Sequence, residues 1–183
     1  LTVQHAHPAV TTAALQAGKH VYSEKPLATR YADAVGLVNL AAERGLRLAC
    51  SPFTLMGEAQ QTAWKWIREG KLGPVRLAYA DVNWGRIEAW HPDPQAFYAV
   101  GPLFDVGVYP LSILTAMFGP ARRVTAYGTV LWPERETRPG ARFQVAQPDF
   151  LVAALELADG VVARLTTDFY VANKSTRQVG MEF

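Results

Sequence analysis

The 183-residue chain holds one cysteine, Cys50. That excludes an intramolecular disulfide, and with no second cysteine or close histidine beside it no metal site is expected; Cys50 reads as a small core residue in a strand. Net charge is also scarce. The 18 lysines and arginines against 16 acids leave +2, and the basic residues are scattered instead of massed on one helix or arm, so no nucleic-acid partner is expected. No unbroken apolar run reaches the roughly 18 residues that a membrane span needs, and the first residues lack the charged start and apolar middle of a secretory signal. A soluble, cytoplasmic protein with no membrane partner is the expectation. Position 1 is Leu, not Met, which points to a truncated start.

Half of the residues are apolar and 19 % are charged, an ordinary globular composition. A chain of this length buries roughly 70 % of its unfolded surface, enough for one large domain or two small ones. Residues 8 to 17 read as a helix opened by Pro8 and stopped by Gly18, and a short strand follows at His20 to Ser23. Thr29 to Arg44 reads as a second helix with Ala32, Val35, Val38, Leu40 and Ala41 on its apolar face, and Leu46 to Cys50 as a second strand. Helix and strand alternating with short loops is the pattern of a parallel sheet with crossover helices, which takes ligands at the carboxyl ends of its strands. Glu24-Lys25-Pro26 stands at such an end, because Pro26 has no N–H to continue a central strand.

Beyond Ser51-Pro52 the rhythm changes, and a second domain is expected over 53–183 after a first over 1–52. A helix from Glu58 to Glu69, ended by Gly70, precedes a strand-like run from Pro74 to Trp84. Gly85 to Gly101 reads as an irregular aromatic loop of the kind that lines sites. Gly101 to Phe118 reads as a helix that Pro110 should kink. From Val124 onward strands dominate, and Asp159-Gly160 signals a primed hairpin turn. The whole is expected as α/β: a partial Rossmann unit, a parallel sheet with helices, followed by an α+β domain with a mostly antiparallel open sheet packed by helices on one side.

Single residues carry little. Lys25 beside Glu24 has the look of a surface ion pair, Asp105 of a helix-dipole partner, and Tyr109 of a half-buried aromatic. Taken together, Asp105 and Tyr109 are four apart, so on a helix they project from one face toward one ligand. A carboxylate and a phenol in such apolar surroundings need polar partners.

The stretch Leu15-Gln-Ala-Gly-Lys-His-Val-Tyr-Ser-Glu-Lys-Pro-Leu-Ala28, with His7 eleven residues before the Gly-Lys-His-Val run, resembles the Gfo/Idh/MocA family of oxidoreductases. So do Gly101-Pro-Leu-Phe-Asp-Val-Gly-Val-Tyr-Pro-Leu111 and the helix end at Phe118-Gly119-Pro120. The resemblance covers essentially the whole chain. It implies an NAD or NADP cofactor, a small-molecule sugar or polyol substrate, and a homo-oligomer, dimer or tetramer, assembled through the second-domain sheet.

It also implies Lys25 as the active-site lysine, Asp105 as the acid that orients substrate, and Tyr109 in the place where many relatives carry a proton-accepting histidine. His7, Glu24, Lys25 and Pro26 are implied at the cofactor, and Lys25, Trp90, His91, Asp105 and Tyr109 at the substrate. For His7, as for His5, hydrogen bonding at the helix start is an equal alternative, and for His91 a role as loop anchor competes. Trp64 and Trp66 are expected to pack at the domain junction. Because a tyrosine titrates near 10 in isolation, the implied mechanism needs the lysine charge to favour the phenolate. No G-x-G-x-x-G turn occurs in the 183 residues, so a fragment without the phosphate-holding half of the cofactor domain, and with weak or absent dinucleotide binding, is expected. Two other readings remain open: an NAD-dependent glycosidase, and a truncated non-catalytic binding module.

Overall fold

The computed structural model describes residues 2–171 and 179–183; Leu1 lies outside them. The chain divides into two units, residues 1–53 and 54–183.

In the first unit a 3-10 turn at Gln4–Ala6 runs into α1 (His7–Gln16). Pro8 lies in the first helical turn, where a missing N–H interrupts nothing. β1 (Val21–Ser23), α2 (Tyr31–Glu43) and β2 (Leu48–Cys50) follow. The strands pair in parallel, Val21 opposite Leu48 and Ser23 opposite Cys50, so both end at one level. Leu15, Leu37 and Ala41 form the buried centre, with Val21, Leu27, Leu40, Leu46 and Leu48 around it. The expected apolar face of α2 is displaced: Val35 and Val38 are exposed. At about 100° per residue, Leu37 and Ala41 share a stripe that leaves Val38 on its flank and Val35 on the far side of the helix. The Lys25–Pro26 and Ser51–Pro52 bonds, which follow the two strands, are cis.

The second unit opens with α3 (Glu58–Arg68) and β3 (Leu77–Asn83). Then come α4 (Gln95–Pro102), a π turn at Leu103–Gly107, and α5 (Val108–Phe118). β4 (Ala121–Thr129), the short β5 (Glu134–Glu136) and β6 (Arg142–Gln144), and finally β7 (Phe150–Leu157), β8 (Val162–Asp168) and β9 (Val179–Glu182) complete it. Five strands form one sheet in the order β4-β7-β8-β3-β9. All neighbours are antiparallel except β3 and β8, which run parallel with Leu77 beside Val162 and Asn83 beside Asp168. This α/β class with a mostly antiparallel second sheet is the one the sequence predicts.

One sheet face is covered. Ala78, Ala80, Leu155, Ala163 and Leu165 alternate inward along their strands and meet Ile113, Leu114, Met117 and Phe118 of α5. The alanines let the helix approach closely, and each fully buried leucine contributes about 1.5–3 kcal/mol over exposure. Trp64 packs on this same core, while Trp66 is exposed.

Four further expectations are corrected. The aromatic stretch before Gly101 is not all loop: it holds a 3-10 turn at Ile87–Ala89 and most of α4. The break in the following helix falls at Gly101, whose φ of 78° and ψ of 164° are open to glycine but not to a side chain, and in the π turn. Pro110 lies within the first turn of α5, where its missing N–H does little harm. The hairpin between β7 and β8 is not a two-residue primed turn. Leu157 pairs with Val161 around three residues, Ala158-Asp159-Gly160, and only Gly160 has positive φ, 81°, which is the three-residue loop built on a type I turn. Finally, the helical stretch Gln95–Phe118 contains an 18-residue window with a mean hydropathy of 1.4 and is long and apolar enough for a membrane span by length and composition. An unbroken apolar run is absent there because Asp105, Ser112 and Thr115 interrupt it, while the other residues keep the mean high. Its break at Gly101 and its packing on the sheet make it a core element.

Candidate active site

In the first unit the turn after β1 gathers His7, Glu24, Lys25 and Pro26. His7, the first residue of α1, is 7 % exposed, and its Nδ1 lies 2.8 Å from the Pro26 carbonyl oxygen. Ser51 Oγ donates to Glu24 Oε1 at 3.2 Å, and the Lys25 N–H donates to Glu24 Oε2 at 3.2 Å. Since the single Ser51 proton goes to the carboxylate, the Tyr22 hydroxyl, 3.2 Å from Ser51 Oγ, is the donor to it. Ser23 Oγ and Cys50 Sγ both reach the Glu24 carbonyl, at 3.1 and 3.5 Å. Burial, with a smaller contribution from the Glu24 charge, pushes the Cys50 thiol up to about 11. Tyr22 and Ser51 escaped sequence reasoning, although parallel pairing of β1 with β2 places Ser51 next to Glu24 once the register is known.

In the second unit Asp105 sits inside the π turn and is 5 % exposed. A π turn closes i to i+5 and recurs at functional sites. Here it lies close over the end of β8: Thr167 Oγ1 donates to the Pro102 carbonyl at 3.4 Å, and a Cβ on Gly107 would meet the Leu103 side chain at 3.1 Å. Tyr109 follows as the second residue of α5 and packs against Val82, Ile87, Tyr98, Val106, Val145 and Phe169. Phe97 packs on the same cluster. Its ring meets His91 at 4.9 Å and Trp90 at 5.8 Å. Thus Trp90, His91 and Tyr109 border one aromatic cluster. His91 Nδ1 is 2.7 Å from the Asp93 carbonyl oxygen, the anchoring role, and Trp90 remains 43 % exposed.

Beside this cluster runs a charged network that sequence reasoning missed altogether. Arg135 is fully buried. Its Nη1 donates to Glu88 Oε1 at 3.0 Å, its Nη2 to Asp149 Oδ2 at 2.5 Å, and its guanidinium stacks 4.5 Å from the Tyr98 ring centre. Burial alone would lower the arginine's pKa, but the Asp149 hydrogen bond and the neighbouring negative groups outweigh it and raise it. The Tyr98 hydroxyl donates to Glu88 at 2.5 Å; burial first, then that bond, drive its pKa up. Asp168 accepts the Tyr170 and Val171 N–H groups at 2.8 and 2.9 Å, yet burial holds its carboxyl above the ordinary range, helped by the Asp149 charge. Over the network lies a groove of about 390 Å³ lined by three arginines, Arg86, Arg135 and Arg142, three glutamates, Glu88, Glu134 and Glu136, and Trp132. Among the described residues no cluster of three or more His, Cys, Asp or Glu could hold a metal ion.

Residues 1–51 match the oxidoreductase family with an NAD-binding Rossmann fold, and residues 60–182 match the GFO/IDH/MocA C-terminal domain. The chain belongs to the Gfo/Idh/MocA family of oxidoreductases. The resemblance read from its two motifs therefore holds along both units. Over 118 residues the chain is 37 % identical to dTDP-3,4-didehydro-2,6-dideoxy-alpha-D-glucose 3-reductase of Streptomyces violaceoruber, which covers 64 % of this chain and 34 % of that protein. Over 160 residues it is 28 % identical to trans-1,2-dihydrobenzene-1,2-diol dehydrogenase of Oryctolagus cuniculus, 87 % of this chain and 45 % of that one. The WlbA dehydrogenase from Bordetella pertussis, solved in complex with NADH and UDP-GlcNAcA, matches in fold with a TM-score of 0.82 at 24 % identity, over 98 % of this chain and 53 % of that structure. The chain thus spans between a third and about half of the proteins it matches.

Proposed function

We propose that this chain serves an NAD(P)-dependent oxidoreductase that moves hydride between the nicotinamide and a secondary alcohol of a sugar, inositol or related diol. In this reading residues 1–52 carry the cofactor side and residues 53–183 the substrate side. The observation that carries it is the Glu24-Lys25-Pro26 turn, fixed at the carboxyl end of a parallel strand, the position where α/β sheets take their ligands. The residues there fit an NAD(P) cofactor: β1 and β2 end level with each other, and His7, Glu24, Lys25 and Pro26 would hold it. When bound, NAD(P) supplies the acceptor or donor of hydride. The relatives named above support the substrate class, since one acts on a nucleotide-linked deoxysugar and the other on a diol.

The side chains divide the remaining work. Tyr109 takes the hydroxyl proton as the alcohol carbon gives up hydride and becomes a carbonyl, and the Lys25 ammonium hydrogen-bonds the reacting oxygen. Asp105, buried in its π turn, orients a neighbouring hydroxyl, and Trp90 and His91 flank the substrate. In the intact protein, a panel of sugars, inositols and vicinal diols with NAD⁺ or NADP⁺ should accumulate reduced nicotinamide. Tyr109→Phe should lower kcat about 10²–10⁴-fold with little change in KM. Undiminished turnover in that variant would remove tyrosine as the proton carrier. Substrate conversion without accumulation of reduced cofactor would favour the glycosidase chemistry instead.

Self-association through the outer sheet face belongs to the same proposal. Leu77 and Tyr79 on β3 and Val162 on the adjacent β8 are exposed there, as is Tyr127 on the edge strand β4, and exposed apolar residues of this kind are what symmetric oligomers cover. Tyr127→Lys together with Val162→Lys should shift the mass measured by light scattering to that of the monomer; an unchanged mass would place the interface elsewhere.

A further inference from the structure

Pro26 has no N–H, so its carbonyl is the one backbone group with which that residue can be anchored. The anchor comes from a residue 19 positions earlier: the buried His7 ring, 2.8 Å away. A carbonyl oxygen only accepts, so the ring proton must reside on Nδ1. On the other side of Lys25, the Glu24 carbonyl is held by Ser23 and Cys50, and the Glu24 carboxylate by Ser51 and by the Lys25 N–H itself. The backbone is thereby fixed immediately before and immediately after Lys25. His7 also opens α1, which is locked into the first unit's core through Leu15, so the ring is attached to a rigid element.

We infer that His7 is a positioning residue for Lys25: donating from Nδ1 to the Pro26 carbonyl, it fixes the turn that presents the lysine amine. Ser51 is the counterpart on the opposite side, bracing Glu24. The consequence for turnover rests on the oxidoreductase reading above; the clamp itself does not. Its chemistry is selective for shape, because the amide nitrogen of an asparagine stands where Nδ1 stands in histidine, whereas that of a glutamine stands near Nε2.

The test uses the intact protein and the pair His7→Asn and His7→Gln. Nitrogen-15 NMR without cofactor should find the His7 proton on Nδ1, and the Pro26 carbonyl carbon should keep its shift in the asparagine variant and move upfield in the glutamine variant, as expected when a hydrogen bond to that oxygen is lost. With a turned-over alcohol and NAD⁺ or NADP⁺, His7→Gln should lower kcat about 100-fold, the size of effect expected from a displacement of about 1 Å. His7→Asn should return to within about tenfold of the parent. A proton on Nε2, or an identical Pro26 signal in the two variants, overturns the assignment. So does equal turnover of the two variants in an active enzyme. If the parent protein turns over no alcohol at all, the functional reading fails, and the NMR result still decides the clamp.

Discussion

The two ends of the five-stranded sheet are built on opposite principles. At one end, alanines and leucines of β3, β7 and β8 meet α5 in an entirely apolar core. At the other, where β3 and β8 finish, Tyr98, Val106 and Phe169 share the interior with Arg135, Glu88, Asp149 and Asp168. Apolar contacts are non-directional and tolerate repacking, so the first end mainly supplies stability. Buried charges are costly unless every one is matched, so the second end has traded stability for fixed polar geometry. The π turn with Asp105, and Tyr109 just after it, lie at that second end.

The contrast breaks most severely at Arg135. Arg135→Met strands two buried carboxylates and should cost about 3–5 kcal/mol in urea denaturation; adding Glu88→Gln and Asp149→Asn should recover part of the loss. A triple variant no better than the single one would show that packing, not charge, dominates there. At the apolar end Leu165→Ala should cost about 2–5 kcal/mol, to a similar extent at pH 5 and pH 8, because no titrating group is left unmatched. A strong pH dependence of that cost would erase the distinction.

A smaller effect, of opposite sign, is expected at Asp168. Its carboxyl is raised above the ordinary 3.8, so its ionised form favours the unfolded chain once pH passes the folded value, and the penalty vanishes below the ordinary one. Asp168→Asn keeps an oxygen for the Tyr170 and Val171 N–H groups and removes the charge. The variant should be the more stable at pH 7, with an advantage that shrinks toward pH 4; a constant difference would contradict the assignment. Least of all, Cys50 should react slowly with iodoacetamide at pH 8, its rate still climbing near pH 10, because its thiol titrates about 11 against an ordinary 9.0. A plateau near pH 9 would mean that the thiol is not shielded.

Local signals made the apolar regions legible. Gly18, Gly45 and Gly70 end their helices as the spacing predicts, and the order of strands and helices follows from period and turn residues. The motifs also nominate Lys25, Asp105 and Tyr109 as the catalytic set, which the Tyr109→Phe variant tests. What stayed illegible depended on pairing across long separations. Arg135 in Glu134-Arg-Glu136 looks like a surface residue until Asp149 and Glu88 close around it, and Ser51 acquires a role only through the β1–β2 register. The π turn was hidden for another reason: residues 103–111 are apolar nearly all round apart from Asp105, so a shift of helical face leaves little mark on the pattern, and the conspicuous Pro110 drew the expected kink to itself.

The parallel pairing of β3 with β8 has a kinetic consequence. β7 and β8 are joined by three residues and can zip together locally, but Leu77 reaches Val162 only after α4, α5, β4 and β7 have been threaded between them. Closing so long a loop costs entropy before any contact rewards it. β3 should therefore dock late, onto a hairpin already in place, and until it does the inner edge of β8 stands open to any stray strand.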